Sequence, residues 1–144
     1  MSAAELERVA AEVAREAGGL LRERFVAGTE RGVRSKSTAT DLVSEADLAS
    51  ERAIQAGLAR RRPDDGLLGE EGAARTGSSG LRWVVDPLDG TINFLFGLPQ
   101  WCVSVAVEDA QGPLAGVVYD PLRDELFAAR RDGPASVRES GCRS

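Results

Sequence analysis

Three short, largely apolar segments, which alternate well enough for strands and are joined by tight turns, constrain the fold of this chain more than any other feature. The segments lie at residues 102–107, 114–119 and 125–129, and polar turn sequences at residues 109–112 and 120–123 separate them. Alternation with a period of two places every second side chain on one face of a strand, and a short turn reverses the chain direction. The pattern therefore predicts an antiparallel meander.

Two helices are predicted to precede these strands. Apolar residues recur on one helical face over residues 3–25, and a second helix is expected over residues 43–61, with a hairpin between them. Gly18 and Gly19 mark a weak point in the first helix because glycine lowers helical propensity. Helices that pack on a largely antiparallel sheet form an α+β layer arrangement, which is the fold class we expect.

The sequence Asp-Pro-Leu-Asp-Gly-Thr at residues 86–91 carries the strongest chemical signal. It follows a short, β-branched strand and precedes a segment that can begin a helical turn. The carboxylates of Asp86 and Asp89, with the backbone carbonyl of Leu88, are oxygen ligands of the kind that Mg²⁺ prefers. Pro87 stiffens the chain between them, which suits ligands that must keep a fixed separation.

Gly90 and Thr91 complete this stretch with a potential anion site. Glycine lets the backbone approach a ligand closely, and the N–H groups that open a helical turn favour a phosphate-sized anion. However, Asp-Pro and Asp-Gly dipeptides are also ordinary turn formers, so a purely structural turn is the competing interpretation.

Other charged residues bear on that choice, and each has a structural alternative. Glu70 and Glu71 follow a short strand-like run, although a pair of glutamates is more often a solvated surface feature. Asp47 lies three residues after Ser44, which resembles a helix capping box. Lys36 is the only lysine among 18 basic residues, which could reflect an arginine-biased composition alone.

Together these pieces resemble the inositol monophosphatase family of Mg²⁺-dependent, lithium-sensitive phosphatases. The family signature Asp-Pro-Ile/Leu-Asp-Gly-Thr is matched at every position, and the resemblance extends to about residue 131. The matching positions, in chain order, are Lys36, residues 41–43, Asp47, residues 69–71, residues 83–94, Gly97 and Pro99.

The resemblance implies a layered α-β-α-β-α fold, of which this chain supplies the first half, and a set of metal ligands. It implies that Glu70, Asp86 and the Leu88 carbonyl hold a first Mg²⁺, and that Asp86 and Asp89 contribute to a second. Glu70 would also help to hold the nucleophilic water. Two cations about 3.5–4 Å apart can stabilise both the attacking and the leaving oxygen of a phosphomonoester.

The resemblance also implies the remaining site residues. Gly90 and Thr91 would bind the substrate phosphate through backbone N–H groups, and the Thr91 hydroxyl, hydrogen-bonded to Asp47, would orient and deprotonate the water. Lys36 would lie on a mobile hairpin that closes over the metals. The expected reaction is in-line attack of water on a small phosphomonoester, with no phosphoenzyme. Inositol monophosphate is the first expectation for the substrate, and histidinol phosphate or another sugar or nucleotide phosphate is the alternative.

The chain departs from the family pattern toward its end. Residues 132–144 do not match the family and show no apolar periodicity, so a disordered tail is expected there. Nothing in the sequence matches the family's second α/β half, which carries a further aspartate ligand, and we interpret the chain as a truncated family member. A noncatalytic remnant that binds metal or phosphate is therefore an alternative function, as is an interaction module, since the family commonly forms homodimers.

Composition excludes several other classes of protein. The formal net charge of −5 argues against nucleic acid or anionic membranes as partners. No apolar stretch approaches the length that spans a bilayer and no signal peptide is recognisable, so a cytoplasmic location is expected. The absence of histidine excludes a Ser-His-Asp triad, and two cysteines give no zinc or disulfide pattern.

Overall fold

Two long helices open the chain in the computed structural model, which describes residues 2–30, 36–69 and 74–139. Helix α1 spans Ala3–Glu30 and α2 spans Lys36–Arg61. Both exceed their predicted bounds, and Ser44 lies inside α2, so it does not cap a helix start. The added turns of the two helices lie against each other, since a Cβ atom at Gly28 would lie 3.9 Å from Leu42, and such tertiary contacts override local propensity. Among the described residues, no helix is long and apolar enough to cross a membrane.

The described strands form one seven-stranded sheet in the order β2-β1-β3-β4-β5-β6-β7. Neighbouring strands pair antiparallel except β1 and β3, which are parallel. A short helix, α3 (Thr91–Leu95), follows β3. The strands are β1 (Gly66–Gly69), β2 (Ala74–Arg75), β3 (Arg82–Asp89), β4 (Cys102–Asp109), β5 (Gly112–Asp120), β6 (Glu125–Arg130) and β7 (Ser136–Glu139). The α+β class is thus confirmed, and β4, β5 and β6 form the predicted meander.

The core lies between one face of the sheet and the helix pair. From α1, the fully buried apolar side chains are Leu6, Ala10, Val13, Ala14, Ala17 and Leu21. They meet the inward side of β4 and β5, where every second residue, such as Val103, Val105 and Val107, is buried. The opposite face keeps apolar side chains that are 36–54% exposed, namely Leu68, Val84, Val118, Phe127 and Val137. The helix pair therefore covers only one side of the sheet.

Gly18 is required by packing and is not a weak point of α1. A Cβ atom at Gly18 would lie 2.5 Å from the Tyr119 ring and 2.9 Å from Pro121, whereas one at Gly19 would meet nothing within 4 Å. We expect Gly18→Ala to lower the free energy of unfolding by about 1–3 kcal/mol through overpacking. Gly19→Ala is the matched control, and it should raise that free energy by up to about 1 kcal/mol. Urea unfolding followed by tryptophan fluorescence measures both, and equal effects would refute this packing role.

The expected disordered tail is partly wrong. Residues 136–139 form β7, which pairs antiparallel with β6 from Ala128↔Ser136 to Glu125↔Glu139. The open edge of β6 supplies backbone hydrogen-bonding groups, so pairing there needs little apolar patterning in β7 itself. Arg138 also donates a hydrogen bond to the buried carboxylate of Glu7 in α1, at 3.1 Å. The last five residues, 140–144, lie outside the described part of the chain.

Candidate active site

The stretch at residues 86–91 lies where β3 ends and α3 begins, as its sequence predicts. A bulge interrupts the pairing of β3 with β4, because Asp86 pairs with Ser104 but Asp89 pairs with Cys102. Three steps along β3 thus match two steps along β4. In a regular strand, side chains three residues apart point to opposite faces, and one extra residue restores the same side. The bulge therefore places Asp86 and Asp89 on the same face of the sheet, at the end of β3.

Hydrogen bonds fix the backbone between the two carboxylates. The Leu88 N–H donates to Asp86 Oδ1 at 3.3 Å, which closes a turn across Pro87. The Pro87 carbonyl accepts a buried hydrogen bond from Ser50 Oγ of α2 at 2.7 Å. Sequence reasoning did not identify Ser50, since a helical serine gives no signal of its own. One hydrogen bond inside the bulge and one from α2 thus hold its backbone in place.

The thiol of Cys102 reports the negative potential at this point. Its S–H donates to Asp89 Oδ2 at 3.8 Å. Burial and then the charges of Asp89, Asp86 and Asp120 raise the pKa of this thiol to about 11. Both carboxylates therefore act on one small volume, and an oxygen-rich, negative site fits a hard cation such as Mg²⁺.

Gly90 forms the turn from β3 into α3. Its φ of 94° and ψ of 39° lie in the left-handed region that favours glycine. A Cβ atom there would lie 2.8 Å from the Gln100 carbonyl oxygen, which accepts a hydrogen bond from Asn93 Nδ2 at 2.7 Å. Thr91 is exposed and is the first residue of α3. The backbone of this turn is thus packed closely against the following loop.

Three aromatic side chains pack together next to the turn at Gly90. The rings of Phe25, Phe94 and Trp101 lie 5.0–5.3 Å apart, centroid to centroid, in edge-on or tilted pairs. Phe94 belongs to α3 and Trp101 precedes β4, whereas Phe25 comes from α1. Sequence analysis did not identify this cluster, because Phe25 is far along the chain from Phe94 and Trp101. It joins the turn at Gly90 to the first helix.

The other predicted residues divide between α2 and the undescribed segments. Asp47 is half-buried on α2 and lies three residues before Ser50, so it shares the helix face that meets β3. Lys36 is the first residue of α2, which corrects its expected place on a hairpin, and its side chain is outside the description.

The predicted ligand Glu70 also lies outside the described residues. The strand before it is described, and Gly69 pairs in parallel with Val85, the residue before Asp86. The described residues alone contain no group of three acidic, cysteine or histidine side chains that could hold a metal. The described site is therefore a pair of carboxylates beside a closely packed turn, at the end of the parallel strands.

These features define an α+β protein with an acidic strand-end site suited to a divalent cation. The chain belongs to the inositol monophosphatase family, whose sequence model matches residues 2–143. It is 50% identical over 101 residues to inositol-1-monophosphatase of Rhizobium meliloti (strain 1021), covering 69% of this chain and 38% of that protein. It is 39% identical over 132 residues to Nus factor SuhB of Pasteurella multocida (strain Pm70), covering 91% and 49%.

A solved structure supports the same assignment. The extragenic suppressor protein suhB of Bartonella henselae is 37% identical, with a TM-score of 0.80 over 92% of this chain and 51% of that one. The chain spans about half the length of the structure and of the SuhB relative, and less of the Rhizobium protein. The resemblance drawn from the sequence is thus confirmed, and the family match also includes most of residues 132–144.

Proposed function

We propose that this chain carries the metal-binding and phosphate-binding part of a Mg²⁺-dependent phosphomonoesterase. The main support is the bulge in β3, which places Asp86 and Asp89 on the same face of the sheet, at the end of the strand and beside Gly90. The Cys102 thiol donates to Asp89, and its pKa is raised by burial and then by the charges of Asp89 and Asp86, so both carboxylates act at this point. Membership in a family of phosphatases supports the same class of reaction.

Oxygen donors of this chain would hold the metal ions. We assign Glu70, Asp86 and the Leu88 carbonyl to a first Mg²⁺, and Asp86 with Asp89 to a second. The hydrogen bond from the Leu88 N–H to Asp86 Oδ1 supports this assignment, because it holds Leu88 beside that carboxylate. When bound, Mg²⁺ supplies charge stabilisation for the attacking and leaving oxygens of the phosphate ester.

The remaining residues would bind the phosphate and position the water. Backbone N–H groups of Gly90 and Thr91 would hold the phosphate, which the close packing of this turn supports. The Thr91 hydroxyl, hydrogen-bonded to Asp47, would orient the water and take part in its deprotonation, while Glu70 would help to hold it. The shared helix face of Asp47 and Ser50 supports this role, since Ser50 contacts Pro87.

Inositol monophosphate is the substrate we propose. Relatives named inositol-1-monophosphatase and inositol monophosphatase 3 are 50% and 43% identical to the chain, which supports this choice. Other relatives carry the name Nus factor SuhB. Histidinol phosphate and other sugar or nucleotide phosphates are the competing substrates, because selectivity depends on hydrogen bonds to the substrate's hydroxyl groups.

Phosphate release from myo-inositol 1-phosphate by the purified chain tests this function. We expect release that needs Mg²⁺, stops with EDTA and is slower with histidinol phosphate or a nucleoside monophosphate. A higher melting temperature in Mg²⁺ without any release would instead identify a noncatalytic metal-binding protein. Association that depends on protein concentration and is insensitive to EDTA, without release, would identify an interaction module, which the exposed apolar sheet face favours.

A further inference from the structure

Asp65, which is not one of the predicted ligands, has its carboxylate completely buried and fully hydrogen-bonded. Arg62 donates to both oxygens, from Nε to Oδ2 at 2.7 Å and from Nη2 to Oδ1 at 3.0 Å. Ser79 Oγ donates to Oδ1 at 2.6 Å, and the Trp83 indole Nε1–H donates to Oδ2 at 2.8 Å. Arg75 donates to the backbone carbonyl of Asp65 from Nη2 at 3.0 Å and from Nε at 3.2 Å. A buried carboxylate with this many donors acts as a structural junction.

The junction joins the three elements that lead to the predicted metal site. Arg62 directly follows α2, the helix that carries Asp47. Asp65 directly precedes β1, whose last residue comes before Glu70. Trp83 lies on β3, three residues before Asp86. The Asp65 carboxylate thus links the helix that carries Asp47, the strand that leads to Glu70 and the strand that carries Asp86.

The register of β1 against β3 needs such an anchor. The parallel pairing includes only four residue pairs, from Gly66↔Arg82 to Gly69↔Val85, and β1 has glycine at both ends. Glycines give a strand little side-chain information about register, and a slip of one residue moves it by about 3.3 Å and reverses its faces. The hydrogen bond from Trp83 to Asp65 fixes β1 directly to β3.

The charge of the carboxylate persists despite its burial. Burial works to raise the pKa of Asp65, but hydrogen bonds from Arg62, Ser79 and Trp83 outweigh it and the pKa is lowered. The group is therefore ionised at neutral pH and attracts the Arg62 guanidinium as well as accepting its hydrogen bonds. A neutral replacement of the same shape would weaken the junction without changing its size.

We infer that Asp65 is a positioning residue for the Mg²⁺ site, holding α2, β1 and β3 in the relative arrangement that the ligands require. This inference rests on the proposed function. Mg²⁺ demands nearly ideal octahedral geometry at about 2.0–2.1 Å, so a small shift between strands weakens its binding. Loss of a residue that hydrogen-bonds to a metal ligand costs about 10–100-fold in metal affinity, and Asp65, which acts through Trp83 and β1, should lie at the low end of that range.

The test is calorimetric titration of the purified chain with MgCl₂, together with thermal unfolding without metal. We expect Asp65→Asn to weaken Mg²⁺ binding by about 10-fold or more. Trp83→Phe, which removes only the indole donor, should weaken it by a smaller factor. Trp83→Phe decides the question if Asp65→Asn does not fold.

Glu7→Gln is the matched control for a loss of stability alone. Glu7 is also buried, at 3% exposure, and accepts hydrogen bonds from Arg130 and Arg138 at 3.3 and 3.1 Å. It joins α1 to β6 and β7, none of which carries a predicted ligand. We expect Glu7→Gln to lower the melting temperature and to leave the Mg²⁺ dissociation constant unchanged.

The outcomes separate this inference from the proposed function. If the wild type binds Mg²⁺ and Asp65→Asn binds it equally well, the positioning role is overturned and the proposed function stands. The same holds if Glu7→Gln weakens Mg²⁺ binding as much as Asp65→Asn does. No binding of Mg²⁺ by the wild-type chain overturns both. Selective weakening in Asp65→Asn and Trp83→Phe supports both, and it needs no measurement of activity.

Discussion

Asp89→Asn is expected to lower Mg²⁺-dependent phosphate release by about 100-fold or more, since even residues that only support metal ligands contribute about 10–100-fold. The substitution keeps the size of the side chain but removes its charge, and Mg²⁺ binds carboxylates in preference to neutral amides. Asp89 is exposed at the end of β3, so the core packing should not change. Steady-state phosphate release over a range of Mg²⁺ concentrations measures the effect.

Asp132→Asn is the control with the same chemical change. Asp132 is exposed in the segment between β6 and β7, and its φ of 60° is left-handed, which asparagine tolerates well. Its release rate should equal that of the wild type. Wild-type activity in Asp89→Asn would remove Asp89 from the proposed ligand set, and equal losses in both variants would indicate a general effect of charge.

The sequence predicted the parts of the site that are local in the chain. The strand-to-helix turn at residues 86–91 is encoded by neighbouring residues, because a β-branched strand, Pro87 and Gly90 each restrict their own backbone. The alternation in β4, β5 and β6 likewise predicts the meander, since burial of one face follows from a period of two. The fold class could therefore be predicted before any contact was known.

The parts that the sequence did not predict depend on contacts between distant residues. Lys36 is helical, and β7 is ordered because it pairs with the edge of β6. The bulge at Asp86 becomes evident only against its partner strand β4. The junction at Asp65 depends on Trp83, 18 residues away, and no local pattern announces it. Local sequence suggested the proposed ligands, whereas tertiary contacts determine how the elements that carry them are held.

Gly90→Ala is expected to have the largest effect on stability among the site variants. Left-handed backbone costs a residue with a Cβ about 1–2 kcal/mol, and overpacking adds about 1–3 kcal/mol, so the free energy of unfolding should fall by about 2–5 kcal/mol. The new Cβ would lie 2.8 Å from the Gln100 carbonyl oxygen and 3.2 Å from Trp101. Displacement of that carbonyl would also break its hydrogen bond from Asn93. Inhibition by inorganic phosphate should weaken with it, because the same turn is proposed to hold the phosphate.

Gly97→Ala separates these two causes. Gly97 also has a left-handed φ, of 73°, but a Cβ atom there would meet nothing within 4 Å. It should therefore cost only the backbone term, about 1–2 kcal/mol, and leave phosphate inhibition unchanged. Urea unfolding and phosphate inhibition of both variants provide the comparison. Equal destabilisation would show that contact with Gln100 and Trp101 is unimportant, whereas unchanged phosphate inhibition in Gly90→Ala would place the phosphate elsewhere.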